Sequence, residues 1–178
     1  DGTSAAGNAA SDTDLVPTYP AGYDLPNVLS VAASDPGDAI GCFSNWGETS
    51  VDVAAPGVAV LSTLPTYPCT LTERGLNQGY DYLDGTSMAT PHAAGAVALS
   101  LARHSGESEA QRRHRLVATA RRCGSLRGRC VANGSMDLNG ALSARLVPPI
   151  PVAGGDTATP PKVPVTLDAS ASVPYPGR

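Results

Sequence analysis

From Met88 to Ala102 the chain reads MATPHAAGAVALSLA, a run of small apolar residues with almost no polar face. Such a run favours a helix, and a helix that is apolar all round is expected to be buried. Pro91 falls in its first turn, where a missing N–H costs nothing. Apolar, β-branched stretches precede it. Asn27–Ser34 (NVLSVAAS) reads as a buried strand, as do Val51–Ala55 and Val58–Ser62, which Pro56-Gly57 separates with a turn. A second helix starts at Ser108, with Gln111 three residues on as a capping box, and runs to Cys123-Gly124. Its Arg and His outnumber its apolar residues, so it is expected to pack by a narrow stripe including Leu116 and Ala120. His104 and His114 are then expected on an exposed basic segment. A short third helix covers 139–145. Strands buried on both faces around an apolar helix predict an α/β layered fold, a parallel sheet flanked by helices.

Composition narrows the function classes. Net charge is −4, unevenly spread: residues 1–102 hold eleven acids against one base, Arg74, while 103–145 hold nine Arg against three acids. The Arg lie on the second helix without interleaved aromatics, which reads as a solvated face and predicts no nucleic-acid partner. No stretch is long and apolar enough for a membrane-spanning helix. The four cysteines, Cys42, Cys69, Cys123 and Cys130, have neither zinc-ribbon spacing nor a nearby His. Their even number allows two disulfides in three pairings. The short loop between Cys123 and Cys130 makes these two an attractive pair, with Cys42 and Cys69 left over, and oxidised export is the favoured compartment. Eight of the sixteen Pro lie in 148–178, so a domain is expected over 1–147 and a Pro-rich linker after it.

The chemistry concentrates in Asp84-Gly85-Thr86-Ser87-Met88-Ala89-Thr90-Pro91-His92. This puts a hydroxyl at the mouth of a helix, where unpaired N–H groups and the positive end of the macrodipole favour a developing oxyanion. The plain alternative is a serine that merely caps the helix. GTSMATPH followed by a small-residue helix resembles the nucleophile signature of subtilisin-like serine proteases, the subtilases. That resemblance implies that Ser87 is the acylating nucleophile and that its own N–H is one oxyanion donor. Ala5-Ala6-Gly7-Asn8 is similar to the family's AAGN segment, which implies that the Asn8 side chain is the second donor.

Further matches follow in family order. Tyr19-Pro20-Ala21 before NVLSVAAS is similar to the stretch leading into a core strand. It implies Thr18 as a candidate floor of the pocket for the substrate side chain on the acyl side. Phe43-Ser44-Asn45-Trp46-Gly47 and Asp52-Val53-Ala54-Ala55-Pro56-Gly57 resemble scaffold segments. Asp52 is a candidate contributor to a structural calcium site of the kind many subtilases carry. Its plainer reading is a loop acid bonding backbone N–H groups, since hard cations need several oxygen ligands. No cofactor is required for the implied chemistry.

A serine hydroxyl needs a base, and the base an orienting carboxylate. The family order is Asp, His, Ser, yet no Asp or His motif precedes Asn8, and all three His follow Ser87. His92 lies on the same helix and is not expected to reach back. The resemblance therefore covers the C-terminal part of a subtilisin-like peptidase domain, and this polypeptide alone is expected to be inactive. Val165–Ser172 (VTLDASAS) resembles the opening strands of a polycystic-kidney-disease-like (PKD-like) β-sandwich, which implies an incomplete module and contact with polymers or surfaces. The implied protein is a secreted serine endopeptidase acting on polypeptides. The competing reading is a secreted binding or structural protein with a degenerate protease scaffold. An α/β-hydrolase elbow at Ser87 is a third, weakened because Gly79, Tyr82 and Asp84 make a poor strand.

Overall fold

The computed structural model describes residues 2–144, so the Pro-rich linker and the PKD-like segment of 148–178 lie outside the described residues. The chain runs β1 (Gly2–Ala5), β2 (Val28–Ser34), β3 (Val53–Pro56), β4 (Val60–Thr63), α1 (Thr70–Glu73), β5 (Tyr80–Leu83), α2 (Thr86–Arg103), α3 (Glu109–Ala118), β6 (Arg121–Arg122), β7 (Gly134–Ser135) and α4 (Leu138–Ser143). The main sheet has the order β1-β2-β3-β7-β6. Its first four strands are parallel, and β6 joins antiparallel. In the centre, Val31 pairs with Val53 and Ala33 with Ala55, and β2 is buried on both faces from Leu29 to Ser34. This is the near-continuous apolar run expected of a covered parallel strand.

The small-residue helix forms as α2 and packs on β1, β2 and β3. Ala89, Ala93, Ala96 and Ser100 are its buried residues beyond the first turn, a helical stripe facing the sheet. It is not buried all round. Ala94, Gly95 and Ala98 are exposed, as are Leu99 at 49% and Leu101 at 46%, because no described element packs on that side. The apolar pattern thus located the helix and overstated its cover.

The expected strand at Val58–Ser62 forms at Val60–Thr63, but outside the main sheet and largely exposed. The turn at Pro56-Gly57 takes the chain off the sheet, and β4 pairs antiparallel with β5 as a separate ribbon. A strand therefore does run towards Ser87, contrary to the weak local propensity of its sequence, because cross-strand pairing with β4 supplies its hydrogen bonds. It belongs to the ribbon and not to the central sheet, so the α/β-hydrolase arrangement is absent.

Helix α3 begins as expected: Ser108 Oγ accepts from Gln111 N at 3.3 Å and Gln111 Oε1 accepts from Ser108 N at 2.7 Å. Its expected solvated basic face is overturned. Arg112, His114 and Arg115 are buried beside Leu116 and Val117. Arg115 is held by the Glu107 carboxylate and donates from Nη1 to Ala144 O at 2.7 Å and Ala141 O at 3.3 Å. Those carbonyls lie at the C-terminal end of α4, where helical partners run out, so the guanidinium satisfies them. The disulfide expectation also fails: Cys42, Cys69, Cys123 and Cys130 are all free thiols. Cys130 Sγ is buried and directed at Gly134 O, whereas Cys123 Sγ is directed at Arg121 O, so each thiol has a separate backbone partner.

Gly57 shows how closely the sheet and the Ser87 segment approach. A Cβ there would lie 2.6 Å from Ala33 Cβ and 2.8 Å from Gly85 O, while Gly57 O accepts from Gly85 N at 2.8 Å. Both obstacles leave little room to relax. Gly57→Ala is expected to cost about 1–3 kcal/mol through overpacking, read as a lowered midpoint in thermal or urea unfolding.

Candidate active site

Two chain segments 78 residues apart in sequence form the centre of the site. Thr86, the first residue of α2, is fully buried and points at the loop after β1. Its backbone N–H donates to Asn8 Oδ1 at 2.9 Å and its hydroxyl donates to the same oxygen at 2.9 Å. Thr86 Oγ1 in turn accepts from Gly7 N at 3.2 Å. With its oxygen held twice, the Asn8 carboxamide presents Nδ2 as its free donor, beside Gly85, whose added Cβ would stand 3.7 Å from that nitrogen.

Ser87 follows, exposed, in the first turn of α2. Its N–H is one of the orphan donors of the helix start, and no acceptor among the described residues engages it. A bare helix N–H, an oriented amide and a hydroxyl therefore share one corner. That corner suits an oxygen acquiring negative charge next to the atom that attacks it. His92 does not serve this hydroxyl: its Nδ1 lies 2.9 Å from Met88 O on its own helix. His114 is buried in α3, where an exposed position was expected.

Asn45 organises the loop that carries Asn8. Its Oδ1 accepts from Ala9 N at 2.9 Å and Ser11 N at 3.1 Å, and its Nδ2 donates to Ala6 O at 2.9 Å and Thr18 Oγ1 at 3.3 Å. Its own N–H donates to Gly7 O at 2.8 Å. Gly7 has φ +109, and a Cβ there would collide with Asn45 Nδ2, so both backbone and space call for glycine. Thr18 is thereby brought beside the Gly7-Asn8 loop. The roles of Asn45 and Thr86 were not read from sequence: the first sat inside a scaffold segment and the second was overshadowed by the neighbouring serine.

Asp52 is buried, as its motif position at the start of β3 dictates. Its Oδ2 accepts from Ser30 N at 2.7 Å, and its Oδ1 pairs with Arg113 Nη2 at 2.7 Å. Burial pushes its carboxyl up from the ordinary range, against the pull of the guanidinium and the Ser30 N–H. Both oxygens are thus engaged by protein groups, the second by an internal cation. Among the described residues no three His, Cys, Asp or Glu side chains group as a metal site. Asp14, in the loop between β1 and β2, behaves oppositely. Partial burial raises its carboxyl, but hydrogen bonds from the side chains and backbones of Ser50 and Thr49 outweigh that and hold it below its usual value.

The chain thus joins a parallel α/β scaffold to a serine, a bare helix N–H and an oriented amide at one helix mouth. Residues 3–147 match the family model of the subtilase family, peptidase S8, and the chain belongs to that family. It is 41% identical over 122 residues to a subtilisin of Bacillus pumilus, covering 68% of this chain and 39% of that protein. Fervidolysin from Fervidobacterium pennivorans, a keratinolytic enzyme related to subtilisin, superposes with a TM-score of 0.64 at 34% identity, over 82% of this chain and 22% of that one. The self-cleaved protease domain of PatA superposes with a TM-score of 0.57 at 34% identity, over 78% of this chain and 47% of that domain. The chain thus spans less than half the length of these relatives. No helix among the described residues is long and apolar enough to cross a membrane.

Two substitutions test the geometry by stability. Thr86→Val removes the hydroxyl that serves both Asn8 Oδ1 and Gly7 N, leaving a part-buried N–H without its acceptor, and is expected to cost about 1–3 kcal/mol in denaturant unfolding. Arg113→Ala strands the buried Asp52 carboxylate. Its cost should be about 2–3 kcal/mol, below that of a fully buried pair because Arg113 reaches solvent. Asp52→Asn added to Arg113→Ala should recover part of that loss.

Proposed function

We propose that this chain is the nucleophile-bearing part of a serine endopeptidase that hydrolyses polypeptides through an acyl-enzyme on Ser87. Ser87 Oγ adds to the peptide carbonyl and its proton passes to a base. The tetrahedral oxygen is received by the Ser87 N–H and Asn8 Nδ2. Collapse expels the amine, which takes that proton, and water then hydrolyses the ester by the same route. The observation that carries this reading is the double hold of Thr86 on Asn8 Oδ1, which leaves Nδ2 as a fixed donor beside Gly85, two residues before Ser87. Thr18, close to the same loop, would floor the pocket for the acyl-side residue.

The base and its carboxylate would come from a segment of the protein outside this chain. In support, His92 is turned to Met88 O on its own helix, His114 is buried in α3, β1 has no strand on its outer side among the described residues, and the far face of α2 is apolar and exposed. A parallel strand added to β1, with cover for Leu99 and Leu101, would complete the layer. Secretion belongs to the same proposal, resting on the family, because the free thiols withdraw the disulfide argument. No cofactor enters the chemistry, and the PKD-like reading of the tail would add a surface-binding module.

The absence of a base among the described residues also fits a binding protein on a degenerate scaffold. The two readings separate in one experiment. A fluorophosphonate is expected to label Ser87 stoichiometrically in the full-length gene product and scarcely at all in residues 1–178. Asn8→Ala in the full-length protein should lower turnover by about 10²–10³, the loss known for such a donor in a subtilisin. A full-length protein that neither labels nor turns over would overturn the proposal in favour of the binding protein.

A further inference from the structure

The ribbon that leads into Ser87 carries an apolar face that the proposed chemistry does not use. In its register Leu61 lies opposite Tyr82 and Thr63 opposite Tyr80, so these four side chains share one face. Tyr80 is 66% exposed, Tyr82 58% and Leu61 55%. The other face holds Val60, Leu83 and Asp81, and Asp81 ties the arm down by accepting from Asn77 N at 2.7 Å. The concentration is local: the chain has six Tyr, one Phe and one Trp, and two of those Tyr alternate in this single short strand.

The ribbon is firmly mounted at the site. Gly85 N donates to Gly57 O at 2.8 Å, and Ala59 N donates to Asp84 Oδ1 at 2.6 Å, which clamps the two strands together at the end of the ribbon that meets α2. Asp84 is three residues from Ser87. β4 and β5 pair only with each other among the described residues, so the ribbon offers an open strand edge beside its aromatic face. An open edge gives main-chain hydrogen bonds to an extended peptide, and tyrosines give contact area at low entropic cost. The charge of the arm selects the occupant: it holds Glu73, Asp81 and Asp84 against Arg74. Such a field draws in basic chains and repels acidic ones.

Resting on the protease reading above, we infer that the Leu61–Tyr80–Tyr82 face is a substrate-docking surface for unfolded, basic polypeptides carrying apolar side chains. It grips substrate beyond the residues at the cleaved bond. It sets affinity for long substrates and leaves the chemical step alone.

The test uses the full-length protease with Tyr80→Ser and Tyr82→Ser combined, and Leu61→Ser as a milder second variant. Substrates are reduced, alkylated lysozyme, an unfolded basic chain, and a tetrapeptide anilide too short to reach the ribbon. The double variant should raise KM for the lysozyme chain about 10-fold, keep kcat within about twofold, and leave kcat/KM for the anilide unchanged. Leu61→Ser should move KM in the same direction by less. Fluorophosphonate labelling of Ser87 verifies that each variant is folded. Unchanged KM for the long substrate overturns the inference, and so does an equal loss on both substrates. A wild-type dimer that the double variant dissolves does so as well, by assigning the face to self-association. Binding of fluorescent lysozyme chain to Ser87→Ala protein, with and without the tyrosines, reads the surface without the reaction. Failure of the chemistry is thereby distinguished from failure of the docking surface.

Discussion

The structure depends on the close seat of α2 against the parallel sheet. Ala89, Ala93 and Ala96 present only methyl groups to β1, β2 and β3, so the helix start is carried to the end of β1. There Thr86 meets Asn8 Oδ1 with both its N–H and its hydroxyl. A bulkier residue in that stripe would lift the helix and break this junction, because cores tolerate added volume poorly. The arrangement at Ser87 thus follows from side-chain size several turns away. The loop on the opposite side is fixed independently by Asn45, whose four side-chain hydrogen bonds leave the Gly7-Asn8 backbone little freedom.

The uneven charge of the chain acquires a structural meaning. Arginines from the basic later segment reach back to aspartates of the acidic earlier one: Arg113 to Asp52, and Arg121 to Asp38 through two contacts. Arg115 acts within the later segment, joining Glu107 to the end of α4. Part of what composition presented as a solvated basic face is thus turned inward or paired: Arg112 and Arg115 are buried, whereas Arg103, Arg121, Arg122 and Arg127 stay exposed. Only part of the acidic surplus is cancelled this way.

Much of the candidate site was legible because its motifs are contiguous. GTSMATPH and AAGN each state a local geometry, one a serine at a helix start and the other a side-chain amide after a flexible glycine. The capping box at Ser108 and Gln111 was equally local and formed as expected. Other readings depended on partners distant in sequence, and these failed. Arg115 carries a charged side chain, so its burial was legible only through Glu107 and α4. β5 has poor strand propensity and exists because β4 lies beside it. Free thiols at Cys123 and Cys130 reflect where each sulfur points, which spacing does not reveal.

By itself the sequence determined strands β2 and β3, helices α2, α3 and α4, the layered α/β class, and the identity of the serine and amide at the helix mouth, because periodicity, capping and motif spacing are properties of neighbouring residues. Only the tertiary structure decided which residues hold that amide, which acid is neutralised by Arg113, and which faces stay open. Those outcomes turn on contacts such as Thr86 with Asn8, across 78 residues of chain. Long-range packing brings them together, and no local pattern encodes it.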